Sequence, residues 1–340
     1  MSRNPAQLPP PLVLFQMLSG FMVSQALYVA ARLGLADELA NGPRTVEDLA
    51  AATETHAETL YRLLRALASV DLFAEDEHGR FGLTPLAAAM KSGPGSVRAM
   101  ILHLGESPTW LAWGDLLNSI KTGATAFQSV HGQEVFPYYA GHPESSRPFN
   151  EAMTEYSQTV AAAVLKAYDF SRFAHIVDVG GGHGSLLTSI LQNAPEASGV
   201  VFDLPAVIAG TRDQIEAAKL TGRCEAMGGN FFESVPAGGD AYVLKAIIHD
   251  WDDARAAGIL RNIRRGIQPG GKLLLIETVV PPGNEPSFSK FGDLHMLVMT
   301  GGRERTQEQF ATLCETAGFR LTRVVPTESM VSLVEAEPVA

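Results

Sequence analysis

Hydrophobic positions change their period along this chain near residue 174. Before it, apolar residues recur three and four apart between short breaks, as in amphipathic helices; beyond it, short apolar runs alternate with helical segments. The first apolar stretch, "PLVLFQMLSGFMVSQALYVAARLGLA", follows Arg3 as the apolar region of a signal peptide follows a basic one, but prolines lead into it. Gln16, Ser19, Ser24 and Gln25 interrupt it, and the pattern predicts a buried helix pair instead.

In "TVEDLAAATETHAETLYRLLRALASVDLF", Thr45 is placed to cap a short helix carrying Val46 and Leu49. Leu60, Leu63, Leu64 and Leu67 mark a second helix. "FAEDEHGRFGLT" then sets polar turn residues between apolar flanks, the pattern of a hairpin. Helix, turn, helix, hairpin is a winged-helix order. It serves either DNA binding or a scaffold, and only Arg62 and Arg65 bring basic charge to the second helix. Residues 106–170 read as mainly helical, broken at "TGATAF", "HGQEVFPYY" and "GHPESSRPF".

From there on, "HIVDVG", "ASGVVFDL", "AYVLKAI" and "GKLLLIETVV" predict strands separated by helices. One of those helices is marked by Ile259, Leu260, Ile263 and Ile267 and stopped by "QPGG". The alternation predicts an α/β fold, a doubly wound, Rossmann-like parallel sheet with helices on both faces. The expected domains are residues 1–105, winged-helix-like, and 106–340, with the Rossmann-like core starting at about residue 171.

Composition narrows the partners. The 340 residues carry a net charge of −11, which disfavours nucleic acid and an anionic membrane surface. Apolar residues at 46% and charged ones at 19% are ordinary for a soluble globular protein. Cys224 and Cys314 are the only cysteines and have no metal-ligand spacing, so reduced thiols and a cytoplasmic setting are expected.

Candidate chemistry gathers where strands end, the position at which such sheets bind ligands. "VDVGGGHGSLL" follows the first strand and sets Asp178 ahead of Gly180, Gly182 and Gly184. Glycines there let the chain turn tightly and a ligand approach the backbone. An acidic residue before them suits a cationic ligand better than a pyrophosphate. The second strand ends at Asp203, where an acid can grip both hydroxyls of a ribose; alternatively it caps the turn before Pro205. Asn230 and Phe231 stand where an adenine could be bonded and covered, or serve as loop cap and core aromatic. "LKAIIHDWDD" crowds His249 against Asp250, Asp252 and Asp253. A base, a metal ligand and strand-end packing all remain open for His249, whereas Asp252 and Asp253 suit the start of the next helix.

Taken in this order, the elements resemble the S-adenosylmethionine-dependent O-methyltransferases of natural-product pathways, which include plant phenolic, hydroxyindole, and bacterial polyketide and phenazine enzymes. "VDVGGGHG", "LKAIIHDWDD" and "MLVMTGGRERT" carry the resemblance, which extends over most of the chain. It implies S-adenosyl-L-methionine as cofactor, S-adenosyl-L-homocysteine as product, and a homodimer formed through the N-terminal domain. Gly180, Gly182 and Asp178 would border the cofactor's amino-acid portion, with Ser157 of "MTEYSQ" beside them. Asp203 and its neighbour Leu204 would hold the ribose, and Asn230 with Phe231 would flank the adenine. Many relatives have Asp where Asn230 stands. Lys245 would lie at the cofactor end of its strand, and Trp251 would cover the adenine. His249 matches the family's catalytic base, with Glu277, Glu304 and Asp250 as its acidic companions. Met153, His295, Met296 and Met299 would line the pocket of a small aromatic or polyketide-like acceptor.

The resemblance leaves other readings open. Relatives on this scaffold methylate carbon or nitrogen, or use the bound cofactor as hydroxylases or pericyclases. The winged-helix order admits a ligand-sensing regulator. His249, Asp250 and His295 also form a two-histidine, one-carboxylate set of the kind that binds iron, although the expected site holds no metal.

Overall fold

The computed structural model describes residues 8–93 and 95–339. They form two compact units, Met1–Trp110 with Tyr139–Glu155 and Leu111–Tyr138 with Tyr156–Ala340.

In the first unit, Thr45 caps the helix Val46–Ala52 by accepting from the Asp48 N–H at 3.2 Å. The helix Ala57–Ala68 turns Leu60, Leu64 and Leu67 into the core. Strands β1 (Phe73–Glu75) and β2 (Phe81–Leu83) pair antiparallel, and Phe73 and Phe81 pack into the same cluster. The expected burial of the first apolar stretch needs correction. It forms helices Pro10–Leu18 and Gly20–Arg32; the first buries no side chain and the second buries only Ala30 and Ala31. Leu14, Phe15, Met17 and Leu18 are 66–72% exposed. Periodicity reports that a face is apolar but not which chain covers it, so a face awaiting a second protein reads the same as a core. By length and composition alone, Pro10–Arg32 is also apolar enough to cross a membrane.

The second unit is built on seven strands: β3 (His175–Val179), β4 (Ser198–Asp203), β5 (Cys224–Gly228), β6 (Ala241–Lys245), β7 (Lys272–Glu277), β8 (Phe319–Pro326) and β9 (Ser332–Pro338). Their order in the sheet is β5-β4-β3-β6-β7-β9-β8. The first five of these run parallel, while β9 pairs antiparallel with both β7 and β8. The expected all-parallel sheet is therefore mixed at one edge. A hairpin needs only the short link between β8 and β9, whereas a parallel addition would need another crossover helix.

Alternate residues of the strands feed two cores. Ile176 packs with Leu186, Leu187, Ile190 and Leu191 of the helix Ser185–Asn193. Val177 faces the cluster holding Ile259, Leu260 and Ile263 of the helix Asp253–Gly266. From β3 the chain steps outward through β4 and β5, then returns to β6 on the other side of β3. That reversal opens a crevice at the carboxyl ends of β3 and β6.

Candidate active site

Asp203, Lys245 and Glu277 are each the last residue of a strand, and Asp178 is the last but one of β3. The parallel register thus delivers four charged side chains to one edge of the sheet. The glycine loop sits among them. Gly180, Gly182 and Gly184 have φ of 71°, 57° and 79°, a region that side chains other than glycine rarely adopt. A Cβ on Gly180 would lie 2.4 Å from Ile247 Cδ1, so the missing side chain lets the turn after β6 pack onto the loop. A Cβ on Gly182 would meet nothing within 4 Å, which leaves space beside that backbone. Asp203 braces the loop, accepting from Gly182 N–H at 2.8 Å and from Leu204 N–H at 2.6 Å.

Beyond β6 the backbone turns sharply. Ala246 has φ of 52°, an uncommon conformation for alanine, and Ile248–Asp250 form one turn of 3-10 helix. Glu277 fastens this turn, its Oε1 accepting from Ile247 N–H at 3.1 Å and Ile248 N–H at 2.7 Å. The imidazole of His249 then meets carboxylates on both sides. Its Nδ1 lies 3.0 Å from Glu304 Oε1 and 3.5 Å from Glu277 Oε2, and its Nε2 lies 3.8 Å from Asp250 Oδ1. The two glutamates are almost wholly buried, while the histidine side chain keeps 19% exposure. With Nδ1–H donating toward Glu304, Nε2 is the nitrogen left to accept a proton.

These contacts reset the acidities. Burial disfavours the imidazolium, but Glu277, Asp250 and Glu304 outweigh it and hold the His249 pKa up at about 10. Burial pushes Glu277 up to about 7 and Asp250 up to about 6, with His249 pulling each back down. Burial likewise lifts Asp178 to about 7 against the opposing Lys245, and it lowers Lys245 against Asp178 and Glu277.

The remaining predicted residues fall into smaller groups. Trp251 packs with Phe231, Phe232 and Phe136 at centroid distances of 6.2, 4.8 and 6.1 Å. Arg255 lies over its ring, and the buried Trp251 Nε1 has no hydrogen-bond partner among the described residues. Asn230 accepts from Phe232 N–H at 3.0 Å, the local loop cap anticipated as its plainer role. Ser157 is buried in the helix Pro143–Ala167, and Met153 lies four residues earlier in that helix, within the first unit. His295, Met296 and Met299 belong to the helix Ser289–Met299, where His295 Nδ1 accepts from Trp113 Nε1–H at 3.0 Å. Asp252 caps the helix Asp253–Gly266, as expected from its position. Among the described residues, the His, Cys and acidic donor atoms that gather within 4.8 Å are those of His249, Glu277 and Glu304. The iron-type set with Asp250 and His295 is not assembled.

Sequence reasoning passed over four participants, Tyr156, Gly302, Arg303 and Arg305. Tyr156 has its ring 5.8 Å from Lys245 Nζ, and burial followed by Glu277 and Glu304 raises its phenol. A Cβ on Gly302 would lie 2.0 Å from the His249 carbonyl, so only glycine lets "GGRERT" lie against the histidine turn. Arg305 is fully buried, and Asp253 pairs with it as well as with Arg303. All four lie in stretches already quoted, but their roles depend on neighbours distant in sequence.

The charged strand ends, the open loop, the aromatic group around Trp251 and the buried, unpartnered Asp178 Oδ2 fit a nucleoside that carries a cationic centre. Residues 113–320 match the O-methyltransferase domain and residues 15–92 the O-methyltransferase dimerisation domain. A phenazine O-methyltransferase of Lysobacter antibioticus is 48% identical over 328 residues, covering 96% of each chain. An O-demethylpuromycin-O-methyltransferase of Streptomyces alboniger is 39% identical over 94% of this chain and 87% of its own. The crystal structure of human N-acetylserotonin methyltransferase in complex with SAM is similar with a TM-score of 0.89 at 27% identity, covering 99% of this chain and 100% of that one.

Proposed function

Because the chain belongs to the S-adenosylmethionine-dependent O-methyltransferase family, we propose that it methylates a hydroxyl of a small aromatic or polyketide-like acceptor, with His249 as general base. The observation that carries this reading is the imidazole at the end of β6, its Nδ1 held by two buried glutamates and its Nε2 left to take a proton. When bound, S-adenosylmethionine supplies a methyl group on a sulfonium already activated for displacement.

The chain's own residues do the rest. Asp203, the glycine loop and Lys245 bind and orient; Asn230, Phe231 and Trp251 flank and cover the adenine; Asp178 offers negative charge to a cation. In its deprotonated form, which the raised pKa makes more abundant as pH climbs toward 10, His249 accepts the hydroxyl proton at Nε2 as the acceptor oxygen becomes nucleophilic, and Glu304 and Glu277 stabilise the imidazolium that results. His295, Met296 and Met299 shape the acceptor pocket, and phenazines are the first scaffold to try, given the 48% identical relative. We assign residues 1–105 to dimerisation and 106–340 to catalysis, in a cytoplasmic homodimer. Support comes from the exposed apolar face of helices Pro10–Leu18 and Gly20–Arg32 and from the dimerisation-domain match.

Incubation with methyl-labelled cofactor and a panel of hydroxylated aromatics should yield a labelled ether from at least one acceptor. His249→Ala should then lose about 10²–10⁴-fold in kcat while calorimetry finds cofactor affinity within about threefold of wild type. Label on carbon or nitrogen alone would overturn the acceptor assignment. Unchanged turnover in the variant would overturn the base.

A further inference from the structure

Three separate parts of the chain supply the charged cluster: the turn after β6 brings His249, the end of β7 brings Glu277, and residues 301–306 bring Glu304. We propose that Arg305 is the positioning residue that locks these three parts together and so sets how closely His249 meets its glutamates. The proposal rests on the reading of His249 as the base.

Among the described residues, Arg305 is the largest fully buried side chain, at 0% exposure. Burying a guanidinium is costly unless its donors are used, and here they are used on both sides of the histidine. Nη1 donates to the Ile248 carbonyl at 3.0 Å and to the Arg303 carbonyl at 3.3 Å. Nη2 donates to the Trp251 carbonyl at 2.9 Å, and Nη2 and Nε donate to Asp253 Oδ1 at 2.8 and 3.0 Å. Ile248 precedes His249 and Trp251 follows it by two, so the side chain grips the turn at both ends. The backbone of Arg305 bridges to Val279, and its carbonyl accepts from Val280 N–H at 2.9 Å, just beyond Glu277. Its chain neighbour Glu304 contacts His249, and Arg303 N–H donates to the His249 carbonyl at 2.8 Å. One residue thus ties together all three carriers. A lysine keeps the charge but cannot reproduce a planar fork serving carbonyls on two segments.

The test is Arg305→Lys, with the His249 imidazole titrated by NMR in ¹⁵N-histidine-labelled protein and kcat and cofactor affinity measured alongside. If Arg305 holds the cluster, the imidazole midpoint falls by about one pH unit or more as the glutamates retreat, and kcat drops at least about tenfold. Cofactor affinity should stay within about threefold. A wild-type midpoint, with any loss of kcat matched by a loss of folded protein, overturns the proposal. Should Arg305→Lys fail to fold, Asp253→Ala removes two of the guanidinium's bonds from a half-exposed position. It must shift the midpoint the same way, by less; an unmoved midpoint there overturns the proposal equally. The base reading is checked separately by His249→Ala. If that variant turns over normally the base assignment falls, whereas a dead His249→Ala beside an unshifted Arg305→Lys removes the positioning role alone.

Discussion

The imidazole of His249 is more basic than a free histidine because three carboxylates, on β7, on residues 301–306 and on its own turn, face it. A raised pKa means the ligand-free protein holds the proton through neutral pH and releases it only as pH approaches 10. Asp178 loses its proton near 7, so the whole site becomes more negative with rising pH. A sulfonium should therefore bind more tightly as pH rises, while the uncharged thioether product should not share the gain. Calorimetry of S-adenosylmethionine and S-adenosylhomocysteine from pH 6 to 9 should show the affinity ratio moving toward the methionine form by about tenfold. Parallel curves would contradict this electrostatic reading. His249 and Asp203 were legible in the sequence because each stands at a strand end in a local motif. Arg305 was not, because its partners Ile248, Trp251 and Asp253 lie more than fifty residues away.

Secondary elements with strong periodicity were equally legible. The helix Asp253–Gly266, with its Asp252 cap, and strands β3, β4, β6 and β7 follow directly from apolar spacing. Edge strands did not: β5 and β8 each have only one buried residue, so neither shows a buried run. The segment 301–306 has no regular pattern at all, yet it presses against the histidine turn through Gly302. Gly302→Ala should push that segment away, at an overpacking cost of about 1–3 kcal/mol in stability. The expected result is a lower melting temperature and a kcat reduced about tenfold, with cofactor affinity unchanged. An alanine variant with wild-type kcat would show that the contact does not govern the cluster.

For the whole molecule, the exposed apolar face of the first two helices is the feature that a single chain leaves unexplained. If a second copy covers it, Phe15→Glu together with Leu18→Glu should convert a dimer to a monomer in sedimentation velocity, since buried charge without a partner is strongly disfavoured. A variant that sediments like the wild type would place the dimer contact elsewhere.

The sequence alone determined the alternation of strands and helices, the glycine loop with its acids, and the histidine at a strand end. Each of these depends on interactions within about twenty residues, where spacing and residue type are sufficient. Tertiary structure decided that β9 runs antiparallel, that the first helices keep their apolar face open, and that the buried Arg305 grips both ends of the His249 turn. Those outcomes depend on which distant segments share a sheet edge or a buried charge, and local periodicity holds no record of that choice.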